Sequence, residues 1–291
     1  MYPRFPREFE NAPANVVTYH SGKSVLAFYK IMQMVPKTEG FLTEHTLVFI
    51  IRGSKTIHLG DQVIAAKANE LILLKRGAYF MSTFLAEKDG FSALMLCLDD
   101  QFLKSFVAEH TDLRSVTSSA DHARMLVSCS REILTVRDSV LQYIQHPHEN
   151  TSKLLQLKLE ELFLLLLAGE YKIPFLHFLQ QLFDKSDDAL EITIKANLLK
   201  PFALQDYAKL CGLSLSSFKR EFARIFKTAP KEWINNERLL HANRLLETTP
   251  KNVNEVAFEC GFENVSYFIK CYKARFGYTP KEATRSKTAT I

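Results

Sequence analysis

Two short sets of hydroxyl and cationic residues stand 50 positions apart near the end of the chain. The first set holds Ser216, Lys219 and Arg220, and the second holds Ser266 and Lys270. Their spacing of three or four residues places each set on one face of a helix. Hydroxyl, ammonium and guanidinium groups on such a face can donate hydrogen bonds to phosphates and to base edges. These residues therefore indicate binding to a polyanion rather than catalysis.

Apolar side chains accompany the polar ones on the second of these faces. Val265 and Ile269 are placed where they can contact a thymine methyl group, and Lys273 extends the cationic face. The predicted nucleic-acid contacts are Leu215, Ser216, Lys219, Arg220, Val265, Ser266, Ile269, Lys270 and Lys273.

The elements that must position these residues occur twice. Residues 207–212 and 256–261 both end in Cys-Gly, and each run is followed by three aromatic residues four positions apart and then by Pro-Lys-Glu. Each copy predicts a helix, a turn at a glycine with positive φ, and a second helix with Ser214 or Asn264 as its N-cap. This is the outline of a helix-turn-helix.

A long helix is predicted between the two copies, over residues 230–247, because Pro230 stands at its start. Its apolar residues suit contact with both copies. Asn252 followed by Glu255 predicts a capped helix after it.

Positive charge is concentrated in the half that carries the repeat. From Ser186 onward 17 Lys and Arg stand against 12 Asp and Glu, whereas residues 1–185 hold 20 of each. The net charge of +5 of the whole chain therefore belongs to this half. A polyanionic partner fits this asymmetry, although chance can also produce it. The composition, 47% hydrophobic and 24% charged, is ordinary for a globular protein of two domains.

Residues 257–262, 266–268 and 276–280 resemble the DNA-binding domain of the AraC/XylS family of transcription regulators. The likeness covers about the last hundred residues. It implies two recognition helices that enter successive major-groove segments of double-stranded promoter DNA, about 34 Å apart. The alternative is a helical bundle without a role on DNA.

Residues 16–98 predict short strands about ten residues apart, which is typical of a small β-barrel or a jelly roll. This pattern resembles the cupin-like barrel of many AraC-family regulators. A metal-binding cupin would need a His-x-His pair, a Glu and a later His, whereas His45 and His58 are isolated and residues 77–81 lack His. We therefore predict no metal, no cofactor and no catalytic residue, against the alternative of a cupin-type enzyme. The barrel either holds a small apolar ligand or is filled by its own side chains.

Helices are predicted from residue 99 to residue 184, and the most apolar of them is Ser152–Ala168. A helix that is apolar on two sides must be covered on two sides. The cover is either the barrel and a neighbouring helix, or the barrel and a partner subunit. One line along this helix holds Leu154, Leu157, Leu165 and Ala168. A second line holds Leu155, Leu159, Leu162 and Leu166. The predicted self-association residues are Leu154, Leu155, Leu159, Leu162 and Leu166.

Residues 68–77, 101–103 and 157–162 resemble the ExsA/LcrF-type activators of type III secretion genes. This resemblance implies an activator that is controlled by an anti-activator protein and acts on RNA polymerase. It also implies a homodimer that forms through N-terminal helices.

The predicted fold class is an α+β N-terminal domain, a cupin-like barrel plus helices, followed by an all-α domain with two helix-turn-helix units joined by a long helix. The boundaries are residues 1–183 for the first domain, 184–189 for a polar linker and 190–291 for the second. Five cysteines in apolar surroundings predict reduced thiols in the cytoplasm. No secretory signal is visible, and the longest apolar run, Leu162–Ala168, is too short to span a bilayer, so no membrane partner is expected.

Overall fold

The computed structural model describes residues 3–9, 15–33, 35–59, 62–84, 90–110, 124–182 and 187–285. The chain forms two compact units, Met1–Asp184 and Lys185–Ile291. Within the described ranges, no helix combines the length and the apolar character that crossing a membrane requires.

Strands make up the first part of the N-terminal unit, as predicted for residues 16–98. A short 3-10 helix, Arg7–Phe9, follows the first strand. The strands are β1 Arg4–Phe5, β2 Val16–Ser21, β3 Ser24–Ile31, β4 Val35–Leu42, β5 His45–Arg52, β6 Ser54–Leu59, β7 Gln62–Lys67, β8 Glu70–Leu74, β9 Gly77–Phe84, β10 Phe91–Leu98 and β11 Arg124–Ser128.

These strands form two sheets, in the orders β1-β4-β9-β6-β7 and β11-β8-β5-β10-β3-β2. Of the two predicted alternatives, a closed barrel is wrong for the described strands, because each sheet keeps its own two edge strands instead of closing. Successive residues of β5 explain the stacking: Val48 and Ile50 pack into the cluster that both sheets share, whereas Leu47 and Phe49 face the opposite way. A central strand that is apolar on both faces needs a layer on each side.

Helices form that second layer. They are α1 Asp100–His110, α2 Arg131–Gln145, α3 Thr151–Ala168 and α4 Lys172–Leu182. Ser130 caps α2 by accepting a hydrogen bond from the Ile133 N–H. Buried side chains of all four helices pack with Leu47 and Phe49 in one cluster. The six-stranded sheet is therefore covered by the other sheet on one face and by helices on the other.

The helix α3 has one buried and one open apolar side. Four of the predicted self-association residues, Leu155, Leu159, Leu162 and Leu166, are at most 4% exposed and pack inside the N-terminal unit. The prediction is wrong for these four, because a second copy cannot reach them. Leu154 is half-buried, while Leu157 is 59% and Leu164 is 42% exposed. Periodicity had located two apolar lines, and burial now shows which line faces the core.

The C-terminal unit is helical, as predicted. Its helices are α5 Asp187–Ala196, α6 Leu204–Leu210, α7 Leu215–Phe226, α8 Pro230–Thr248, α9 Val253–Glu259, α10 Val265–Phe276 and α11 Pro280–Arg285. Residues 184–186 of the predicted linker lie outside the described residues. Residues 187–189 belong to α5, so this part of the linker prediction is wrong.

Candidate nucleic-acid interface

The helices α6 and α7 form the first helix-turn-helix. Gly212 has a φ of +66°, a left-handed conformation that suits glycine, and the Leu213 N–H then donates to the Ala208 carbonyl at 2.8 Å. Ser214 caps α7 by accepting a hydrogen bond from the Ser217 N–H at 3.2 Å. The turn and the cap therefore fix where α7 begins and which way it points.

One side of α7 is anchored, and the opposite side is free for recognition. Phe218 and Phe222 are fully buried. Ser216, Lys219 and Arg220 are exposed, and Leu215 is half-buried at the first turn. The anchored aromatic residues leave the polar residues on the outward face, which is the arrangement that a recognition helix needs.

The helices α9 and α10 repeat this construction with one more residue in the turn. Asn252 and Glu255 form a capping box at the start of α9, each side chain accepting the other's backbone N–H. Gly261 has a φ of +78°, and a Cβ there would lie 2.7 Å from the Leu199 carbonyl oxygen. Asn264 caps α10 by accepting from the Tyr267 N–H at 2.8 Å. The second turn is therefore closed by packing as well as by backbone conformation.

The helix α10 is anchored by Phe268 and Tyr272, which are both fully buried. The remaining predicted contact residues lie on its other side. Ser266, Ile269, Lys270 and Lys273 are exposed, and Val265 is half-buried against the core of this motif.

The helix α8 packs against both motifs. Near its start, the Trp233 ring lies 4.5 Å from the Phe226 ring of the first motif. Further along, Leu239, Ala242 and Leu246 are buried in the core of the second motif. One helix thus serves as a common support for α7 and α10, as the sequence predicts.

The charges on the two outward faces differ in their pairing. On α7, Arg220 and Arg224 both donate to Glu221, at 3.2 and 2.9 Å, and hydrogen bonds from Arg224 first and then Arg220 hold the pKa of Glu221 below its usual range. Within the described part of the chain, Lys270 and Lys273 form no ion pair with a carboxylate. Exposed ion pairs contribute little, so the α7 cations also stay available to a phosphate.

Equivalent positions of the two helices present different chemistry. A shift of 50 residues aligns Ser216 with Ser266, Lys219 with Ile269, and Arg220 with Lys270. A lysine and an isoleucine at one position select different base edges, since an apolar side chain suits a thymine methyl group. The two helices therefore present different side-chain chemistry at equivalent positions.

Outside these helices, His45 is buried at the start of β5, and the Arg76 side chain donates to its Nε2 at 3.0 Å. Burial, and then the Arg76 charge, hold the pKa of His45 well below its usual range. Glu109, His110 and Glu160 bring their ligand atoms within 4.8 Å of one another and could hold a metal ion. Sequence reasoning missed this group because Glu160 lies on a different helix.

Two protein-family models match the chain. Residues 45–178 match the ExsA N-terminal regulatory domain, and residues 207–286 match a helix-turn-helix domain. The chain thus carries an ExsA-type regulatory domain followed by an AraC-type helix-turn-helix domain. It is a DNA-binding transcription activator similar to ExsA and VirF, and its relatives are regulators rather than enzymes.

The similarity to individual relatives spans most of the chain. The HTH-type transcriptional regulator ExsA of Pseudomonas aeruginosa is 28% identical, over 84% of this chain and 87% of that protein. The virulence regulon transcriptional activator VirF of Yersinia enterocolitica is 28% identical, over 86% of this chain and 93% of that protein. The thermoregulatory protein LcrF of Yersinia pestis gives the same three values. The likeness therefore includes both units.

Proposed function

We propose that this regulator activates virulence genes of the type III secretion class by placing α7 and α10 in successive major-groove segments of a promoter. The observation that carries the proposal is the pair of outward faces, each held by a capped turn and buried aromatic residues. Phosphates and base edges are contacted by Lys219, Arg220, Lys270 and Lys273. Ile269 contacts a thymine methyl group. The relatives ExsA, VirF and LcrF support the gene class.

The partner that fits the open side of α3 is a second copy of this chain. Leu157 and Leu164 lie one heptad apart, which is the spacing of a helix–helix seam. Leu165 and Ala168 extend the apolar strip, and Glu161 interrupts it. A two-fold dimer pairs the same patch from each subunit, so one exposed strip suffices. We propose α3 as this seam, with Leu154 at its edge.

We propose two further partners because the chain resembles the ExsA/LcrF-type activators. One is an anti-activator protein that binds the regulator, and the other is RNA polymerase at the promoter. The alternative is regulation by a small apolar ligand between the sheets, where buried side chains of both sheets pack together. Cytoplasmic location follows from the proposed work on promoter DNA.

Selection of bound fragments from genomic DNA with the full chain tests the proposal. We expect the fragments to lie upstream of secretion genes and to share two recognition segments about one helical turn apart. Fragments without a shared sequence would contradict specific binding. A shared sequence upstream of unrelated genes would keep the DNA-binding role and refute the gene class.

A further inference from the structure

A buried cation lies at the middle of α8. Arg238 is 6% exposed, and its guanidinium meets backbone carbonyls on two sides. Its Nε donates to the Leu198 carbonyl at 2.8 Å, and its Nη1 donates to the Gly261 carbonyl at 3.0 Å. Its Nη2 donates to the Lys200 carbonyl and to the Tyr207 hydroxyl. Sequence reasoning considered only the apolar residues of α8 and missed this side chain.

The acceptors belong to different helix-turn-helix motifs. Leu198 and Lys200 lie in the segment that leads into α6, and Tyr207 lies within α6 itself. Gly261 forms the turn between α9 and α10. The close approach of Gly261 to the Leu199 carbonyl shows that this turn packs against the segment before α6. The guanidinium therefore bridges the place where the two motifs touch.

The chemistry of arginine makes this bridge directional. A guanidinium presents five N–H donors in a rigid planar fork, so its acceptors must occupy defined positions. A buried charge is costly unless it is hydrogen-bonded, which penalises any arrangement that loses these carbonyls. The apolar contacts of α8 are non-directional and tolerate sliding. The hydrogen bonds of Arg238 therefore specify the position of the second motif's turn relative to the segment before α6.

We propose that Arg238 is a positioning residue that sets the spacing of α7 and α10, and hence the separation of the two DNA segments that one chain reads. The inference rests on the proposed binding of DNA by both helices. One base pair moves a segment by about 3.4 Å along the duplex and also rotates it. A rigid pair of motifs therefore discriminates between duplexes that differ by one base pair in spacing, and a loosened pair does not.

Binding of the full chain to three duplexes tests this role. One duplex has the selected sequence, and the other two have one base pair added or removed between the segments. For the wild type, we expect affinity to fall about tenfold on either change, the loss of one good base contact. For Arg238→Met, we expect weaker binding to the selected duplex and little difference among the three. Arg244→Met, which removes an exposed arginine from the same helix, should keep the wild-type ratio.

Several results would decide against the proposal. An Arg238→Met protein with weaker binding but an unchanged spacing ratio would show that the side chain only stabilises the fold. If circular dichroism shows that this variant is unfolded, Arg238→Lys and Tyr207→Phe replace it, since they alter only part of the bridge. The wild-type ratio in both of them would overturn the inference. A wild type that ignores spacing would instead refute two-helix binding itself.

Discussion

At the scale of single residues, Arg220 and Lys270 occupy equivalent positions on the two recognition helices. We expect Arg220→Ala and Lys270→Ala each to weaken specific binding by about 1–3 kcal/mol if the side chain contacts a base edge. Footprinting should locate the two losses in different segments, about one helical turn apart. Lys195→Ala is the matched control, because Lys195 is exposed on α5 and paired with Glu191. Variants with unchanged footprints and affinity would refute the assignment.

Ile269 offers a test by chemistry on the DNA. Replacing each thymine of the second segment in turn by uracil removes one methyl group, and we expect one such duplex to bind the wild type less well by about 0.8 kcal/mol. Ile269→Ala should bind that duplex and its thymine parent equally, since the partner of the methyl group is gone. Lys219→Ala, changed at the equivalent position of α7, should keep the difference. Equal loss in all three proteins would assign the methyl contact to another residue.

At the scale of elements, the two sides of α3 give opposite expectations. Leu162→Glu puts a charge into the core and should unfold the N-terminal unit, because a buried unpaired carboxylate is strongly unfavourable. Leu157→Glu changes an exposed residue, so we expect a folded monomer. Circular dichroism and sedimentation separate these outcomes. A Leu157→Glu protein that still dimerises would place the dimer surface elsewhere.

The elements also show how far the sequence alone can lead. Helix-turn-helix motifs were predictable because local residues determine them: Gly212 bends the chain and Ser214 caps the next helix. Local pattern could not tell two stacked sheets from a barrel, since closure depends on the edge strands. It also could not find Arg238, whose partners Leu198 and Gly261 lie 40 and 23 residues away and leave no periodic signal.

At the scale of the whole molecule, the two units should be separable. Each has its own core, so we expect the fragment Asp187–Ile291 to fold and to bind a single selected site. The logarithm of its affinity should fall with the logarithm of salt concentration by about 0.9 per phosphate neutralised. Titrations at several salt concentrations, with the full chain beside the fragment, measure this slope. Insolubility of the fragment, or binding that ignores salt, would contradict two independent domains.

The chain contains one tryptophan, Trp233, and its half-buried ring packs against Phe222 and Phe226 of the first motif. Indole emission from the intact protein therefore originates at a single place. Its emission wavelength and intensity register the loosening of α8 from the first motif. A fluorescence melt read beside a circular dichroism melt thus reveals, without any label, whether this contact is lost before the bulk of the secondary structure.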